Sequence, residues 1–111
     1  MEAIQWIRRA GVDVERVDVE RPRSGPAQAD AVLELSAGEM RVRFAVEERR
    51  RAPYPNEIPQ LSAQRAELSR LGQPLVVVPF VSETLGPALA EAGWSWADAC
   101  GNFDLRAPAL V

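Results

Sequence analysis

Residues 74–81 read PLVVVPFV, an unbroken apolar run between Gln73 and Ser82. A strand with one face in water alternates apolar and polar side chains, so this run implies a strand covered on both faces. A helical pattern lies on each side of it in sequence. Before it, NEIPQLSAQRAELSRLG places Ile58, Leu61, Leu68 and Leu71 near one helix face, with Asn56 as a cap and Gly72 as the stop. After it, Leu85, Ala88, Leu89 and Ala92 recur at helical spacing in a second helix expected from Ser82 to Gly93. Pro87 should kink that helix or delay its start.

The upstream half reads as strands. In AVLELS, Val32 and Glu34 alternate with Leu33 and Leu35. AGE then supplies a tight turn into MRVRFAVEE, so residues 30–48 form a β-hairpin. Val12, Val14, Val17 and Val19 mark an earlier half-buried strand, whose change of phase predicts a bulge or two short pieces. Residues 21–29 are a loop by their prolines and glycine, and residues 2–10 form a short helix stopped at Gly11. At the other end, WSWADACGNFDLRAP gives a brief strand, a turn at Gly101-Asn102 and a final strand. The expected order is αβββαβαββ, an α/β fold with a mixed sheet flanked by helices. Strands 40–48 and 75–81 should be parallel neighbours, because the helix between them serves as their crossover.

The length of 111 residues suits one domain. The apolar ending APALV fits either a natural end or the N-terminal part of a longer protein. A net charge of -3 argues against a generally basic nucleic-acid binder. All 13 basic residues are arginine, so no lysine can act as a catalytic point charge. With no histidine and only Cys100, an intramolecular disulfide, the usual zinc sites and histidine-dependent triads are excluded. A bound metal would rely on carboxylates, carbonyls and water, which favours magnesium or manganese. There is no 18-residue apolar run, and MEAIQWIRRAG is too charged for a signal peptide, so a cytoplasmic location with no membrane partner is expected.

The segment RVRFAVEERRR carries the densest chemistry. Its apolar core ends on Glu47, Glu48, Arg49, Arg50 and Arg51. Alternation places Glu47 opposite Val46 and on the same face as Arg49. A carboxylate there needs a partner, and either an ion pair with Arg49 or a metal site would supply one. Arg49-Arg50-Arg51 either contacts phosphates or is solvated charge ahead of a Pro-rich loop. Trp94 and Trp96 share one strand face, as core or as a stacking platform. Asp98 is expected to cap local amides, Asn102 to take a left-handed turn and Cys100 to be a small buried residue.

The order of elements resembles the restriction-endonuclease-like fold of the PD-(D/E)xK superfamily. There a hairpin brings an Asp on one strand and a Glu-x-Lys on the next to one end of the sheet. The matching residues are Asp30, in QADAVLEL, and Glu47-Glu48-Arg49, in FAVEERRR. The following helix carries Gln60 and Gln64, where some members place a glutamine near the site. The stretch GWSWADACGN is similar to one found in bacterial domains attached to AbiEi-like transcriptional regulators. The resemblance implies a vestigial site of Asp30, Glu47, Arg49 and Gln64. Asp30 and Glu47 would be metal ligands only in an active enzyme.

Arg49 stands where the superfamily has lysine. A guanidinium stabilises negative charge but is never neutral, so it cannot be a general base. The leading expectation is a catalytically inactive nuclease-like domain, without cofactor, with a regulatory or assembly role in DNA metabolism or transcription. DNA would be reached through an additional domain. One alternative is a divergent magnesium- or manganese-dependent nuclease using Asp30 and Glu47; another is a protein-interaction or homodimerisation module. Convergence of Asp30, Glu47 and Arg49 in space bears on the choice.

Overall fold

The computed structural model describes residues 13–17, 30–37 and 39–106, and the helix expected over 2–10 lies outside them. Six strands form one mixed sheet in sequential order: β1 (Asp13–Val17), β2 (Ala31–Ala37), β3 (Met40–Glu48), β4 (Gln73–Val78), β5 (Ser95–Asp98) and β6 (Phe103–Asp104). β1, β2 and β3 are antiparallel, β3, β4 and β5 run parallel, and β6 returns antiparallel to β5. The α/β class, the hairpin and the parallel pairing of β3 with β4 are as the sequence implied. The predicted bulge is absent from 13–17: pairing runs unbroken from Asp13↔Ser36 to Val17↔Val32.

β4 is covered on both faces, which is what its lack of polar alternation demands. Leu75 and Val77 join Leu33, Phe44 and Val46 in one core. Val76 and Val78 join Ile58, Leu61, Leu68, Leu85 and Leu89 in the other. Full burial of each such side chain contributes about 1.5–3 kcal/mol. β4 stops at Val78, three residues short of the apolar run, because Pro79 has no N–H to continue a ladder.

The segment between β3 and β4 departs from a single helix. It is a 3-10 helix, Pro55–Leu61, followed by α1, Ser62–Leu68. Pro59 lies within the first part, where its missing N–H would break an α-helical ladder. Asn56 is not the cap. Tyr54 N–H donates to Glu57 Oε1 at 2.9 Å, and Glu57 N–H donates to Tyr54 O at 2.8 Å. Glu57 also receives Arg51 at 3.0 and 3.2 Å, and these bonds hold its carboxyl below the usual range. Ile58, Leu61 and Leu68 are nevertheless buried as the periodicity required.

Gly72 has a packing role beyond closing a helix. A Cβ there would lie 2.7 Å from Arg43 O, so only glycine lets the chain enter β4 this close to β3. The second helix, α2, spans Leu85–Glu91. Its start is delayed past Ser82 and puts Pro87 in the first turn, where an unbonded N–H is tolerated. Ser82 Oγ accepts from Leu85 N–H at 3.1 Å. No helix among the described residues is long and apolar enough to cross a membrane.

Candidate functional site

β3 delivers Glu47 to its C-terminal end, paired in register with Val76 of the parallel neighbour. The carboxyl ends of parallel strands are where open α/β sheets bind ligands. The ladder extends one residue further, since Arg49 N–H donates to Val77 O at 2.8 Å and fixes the Arg49 backbone. Asp30 immediately precedes β2. Its N–H donates to Val46 O at 2.8 Å, and its Oδ2 accepts from Glu48 N–H at 2.8 Å. The side chain therefore ties the head of β2 to the tail of β3.

Around Glu47 the four residues singled out from sequence come together. Its side chain is only 12% exposed, with Arg49 Nη1 at 3.7 Å from Oε1. Burial pushes the Glu47 carboxyl above its ordinary acidity and the negative charge of Asp30 pushes the same way, while Arg49 and the Gln64 side chain act in opposition. Gln64 approaches from α1, though not in a geometry that satisfies Oε2. That oxygen is buried without a hydrogen-bond partner among the described residues. Gln60, on the 3-10 segment, is exposed and takes no part. The expected Glu47–Arg49 pair is present. Of the arginine run, Arg50 is exposed and Arg51 is held by Glu57 and lies 5.3 Å from the Tyr54 ring centroid.

The donor set suits a metal ion only in part. Asp30 and Glu47 offer two carboxylates and one orphaned oxygen, but a guanidinium stands beside Glu47 and competes with any cation. No group of three or more acidic, histidine or cysteine side chains able to hold a metal occurs among the described residues.

The motif at the end of β5 is a structural joint. Asp98 is fully buried, as the Trp94–Trp96–Asp98 parity on one strand face could have indicated. Its carboxylate accepts from Cys100 N–H at 3.0 Å, Asn102 N–H at 2.9 Å and Asn102 Nδ2 at 3.3 Å. It also accepts from Val81 N–H at 3.0 Å, so it clamps the loop after β4 as well as its own turn. That second reach went unread in the sequence. Two local expectations fail here. Gly101, with φ of 94°, takes the left-handed conformation in place of Asn102. Cys100 is exposed in the turn rather than buried. Trp94 is core, 1% exposed, and Trp96 packs against the same cluster.

No protein-family model matches the chain, and neither a curated protein nor a solved structure matches it.

Proposed function

We propose that the chain is a catalytically inactive nuclease-like domain with a regulatory or assembly role in DNA metabolism or transcription. The observation that carries this reading is the engagement of both candidate ligands by the protein itself. Glu47 faces the Arg49 guanidinium at 3.7 Å, and Asp30 Oδ2 is taken by the Glu48 amide at 2.8 Å. The convergence of Asp30, Glu47, Arg49 and Gln64 supports descent from an active arrangement. Arginine in place of lysine supports the loss of chemistry, since no neutral amine is available to move a proton. DNA is then reached through another domain or a protein partner, in keeping with the net charge of -3.

One observation favours a second reading, a divergent magnesium- or manganese-dependent nuclease. Glu47 Oε2 is buried without a hydrogen-bond partner among the described residues, which leaves an oxygen able to ligate a cation. Asp30 and Glu47 would hold the ion, with water completing its shell. Thermal unfolding with and without manganese separates the two. A ligand that binds only the folded state raises Tm, by an amount set by its concentration relative to Kd. The inactive domain is expected to show no manganese-dependent rise. A rise that disappears in Asp30→Asn would favour the nuclease.

A further inference from the structure

A concavity of about 590 Å³ lies between α2, the loop after β4 and the β5–β6 edge of the sheet. None of its lining residues belongs to the Asp30, Glu47, Arg49 and Gln64 cluster. Its volume falls in the range typical of small-ligand sites, roughly 300–1000 Å³. Two aromatic side chains line it: Trp96, half-buried, and Phe80, 54% exposed. Phe80 is one of two large exposed apolar side chains among the described residues, and burial against a partner would remove that exposure. Gly86 brings the helix backbone onto the indole, for a Cβ there would lie 3.2 Å from Trp96 Cζ2. The lining at this point is therefore aromatic ring and backbone.

The charges of the lining do not cancel. Arg106 and Asp104 satisfy each other: Nε donates to both carboxylate oxygens at 3.1 Å, and Nη2 lies 3.0 Å from Oδ2. Glu83, exposed on the lining, makes no hydrogen bond or ion pair among the described residues. The cavity thus combines two aromatic rings, whose faces attract cations, with one uncompensated carboxylate. A neutral apolar ligand would leave that carboxylate unused, and an anion would be repelled by it. Among cations, the planar and weakly hydrated guanidinium stacks on aromatic faces and pairs with a carboxylate at once.

We propose that this cavity receives the guanidinium of an arginine side chain presented by a protein partner. It stacks against Trp96 and Phe80 and pairs with Glu83. The site is independent of the Glu47 cluster, so it stands or falls separately from the inactive-nuclease reading.

The test is a titration of the full-length ¹⁵N-labelled chain, followed by NMR, with the tripeptide acetyl-Gly-Arg-Gly-amide. The neutral citrulline peptide and the lysine peptide are the comparisons. Saturable shifts of the Trp96 indole N–H and the Glu83 and Gly86 amides are expected with the arginine peptide. The citrulline peptide should bind at least about fivefold more weakly, the scale of one cation–aromatic contact. The lysine peptide should also bind more weakly, because its ammonium is strongly hydrated and cannot stack. Glu83→Gln should weaken the arginine peptide by about threefold to fivefold, as loss of one exposed ion pair. Its own spectrum, otherwise unchanged, shows that the fold is intact. Shifts absent from these residues, equal binding of the citrulline or lysine peptide, or unchanged affinity in Glu83→Gln would each overturn the proposal.

Discussion

Glu47 and Arg49, two residues apart at the end of β3, project from the same strand face, with Nη1 3.7 Å from Oε1. The pair is one-sided. Oε1 faces the guanidinium while Oε2 is buried without a hydrogen-bond partner among the described residues, and desolvation is the largest influence on the carboxyl. The charged form of Glu47 is therefore less favourable in the folded chain than in the unfolded one.

That imbalance gives a pH signature. The folded-state pKa of Glu47 lies above the ordinary value of 4.5, so between those limits the folded state binds more protons. Its contribution to stability is present below 4.5 and lost as pH rises through the folded value. Glu47→Gln removes this titration, so its stability relative to wild type should improve as pH rises across that window. At neutral pH, unpairing Arg49 should cost no more than about 1 kcal/mol, because Arg49 is partly solvated. Urea unfolding of both proteins over a pH series measures this. A stability difference that is flat, or that moves the other way, would show that Glu47 is not held in an unfavourable charged state.

Asp98 should behave as a structural residue. It is fully buried and accepts three backbone amides from two loops. Asp98→Ala leaves the buried Val81 amide without an acceptor while the part-buried Cys100 and Asn102 amides can turn to water, so it should cost about 1–3 kcal/mol. Chemical denaturation supplies the value. A loss below about 1 kcal/mol would mean that water replaces the carboxylate.

The parts of this molecule legible in the sequence are those set by periodicity. Leu75 to Val78 required cover on both faces, and Val32–Leu35 against Val42–Val46 required a hairpin. Glu47 and Arg49 had to share a face because strand side chains alternate. The misread parts depend on single backbone groups or on distant partners. Pro59 turned the first half of an apparent helix into a 3-10 segment, Pro79 ended β4 early, and Gly101 took the conformation assigned to Asn102. The reach of Asp98 to Val81 spans 17 residues, and a local pattern cannot encode it.

Gly72 offers a test of the crossover geometry. A methyl group there would meet Arg43 O at 2.7 Å, and that atom is backbone inside β3. Gly72→Ala should destabilise the protein by about 1–3 kcal/mol, the usual cost of forcing an extra carbon into a packed site. Thermal melting would register a lower Tm. An unchanged or higher Tm would mean that β3 and β4 separate there without cost.

The domain by itself should bind generic duplex DNA poorly. With a net charge of -3 it lacks the counterion-release contribution that dominates non-specific affinity. Arg49 and Arg51 are each paired with a glutamate, which further weakens the arginine run as a phosphate contact. Fluorescence anisotropy with a labelled duplex at physiological salt is the measurement. Submicromolar affinity would contradict the expectation and direct attention to Arg50 and its neighbours.

The proposed function makes Asp30, Glu47, Arg49 and Gln64 a nuclease-like cluster without catalytic chemistry. Loss of one positioned electrostatic group typically lowers turnover by about 100- to 1000-fold, and the chain has no histidine or lysine to substitute. The most direct measurement is cleavage of labelled DNA and RNA by purified wild-type protein in manganese, alongside Asp30→Asn. The account predicts intact substrate in both reactions. Cleavage by wild type that disappears in Asp30→Asn would contradict it and establish the divergent nuclease instead.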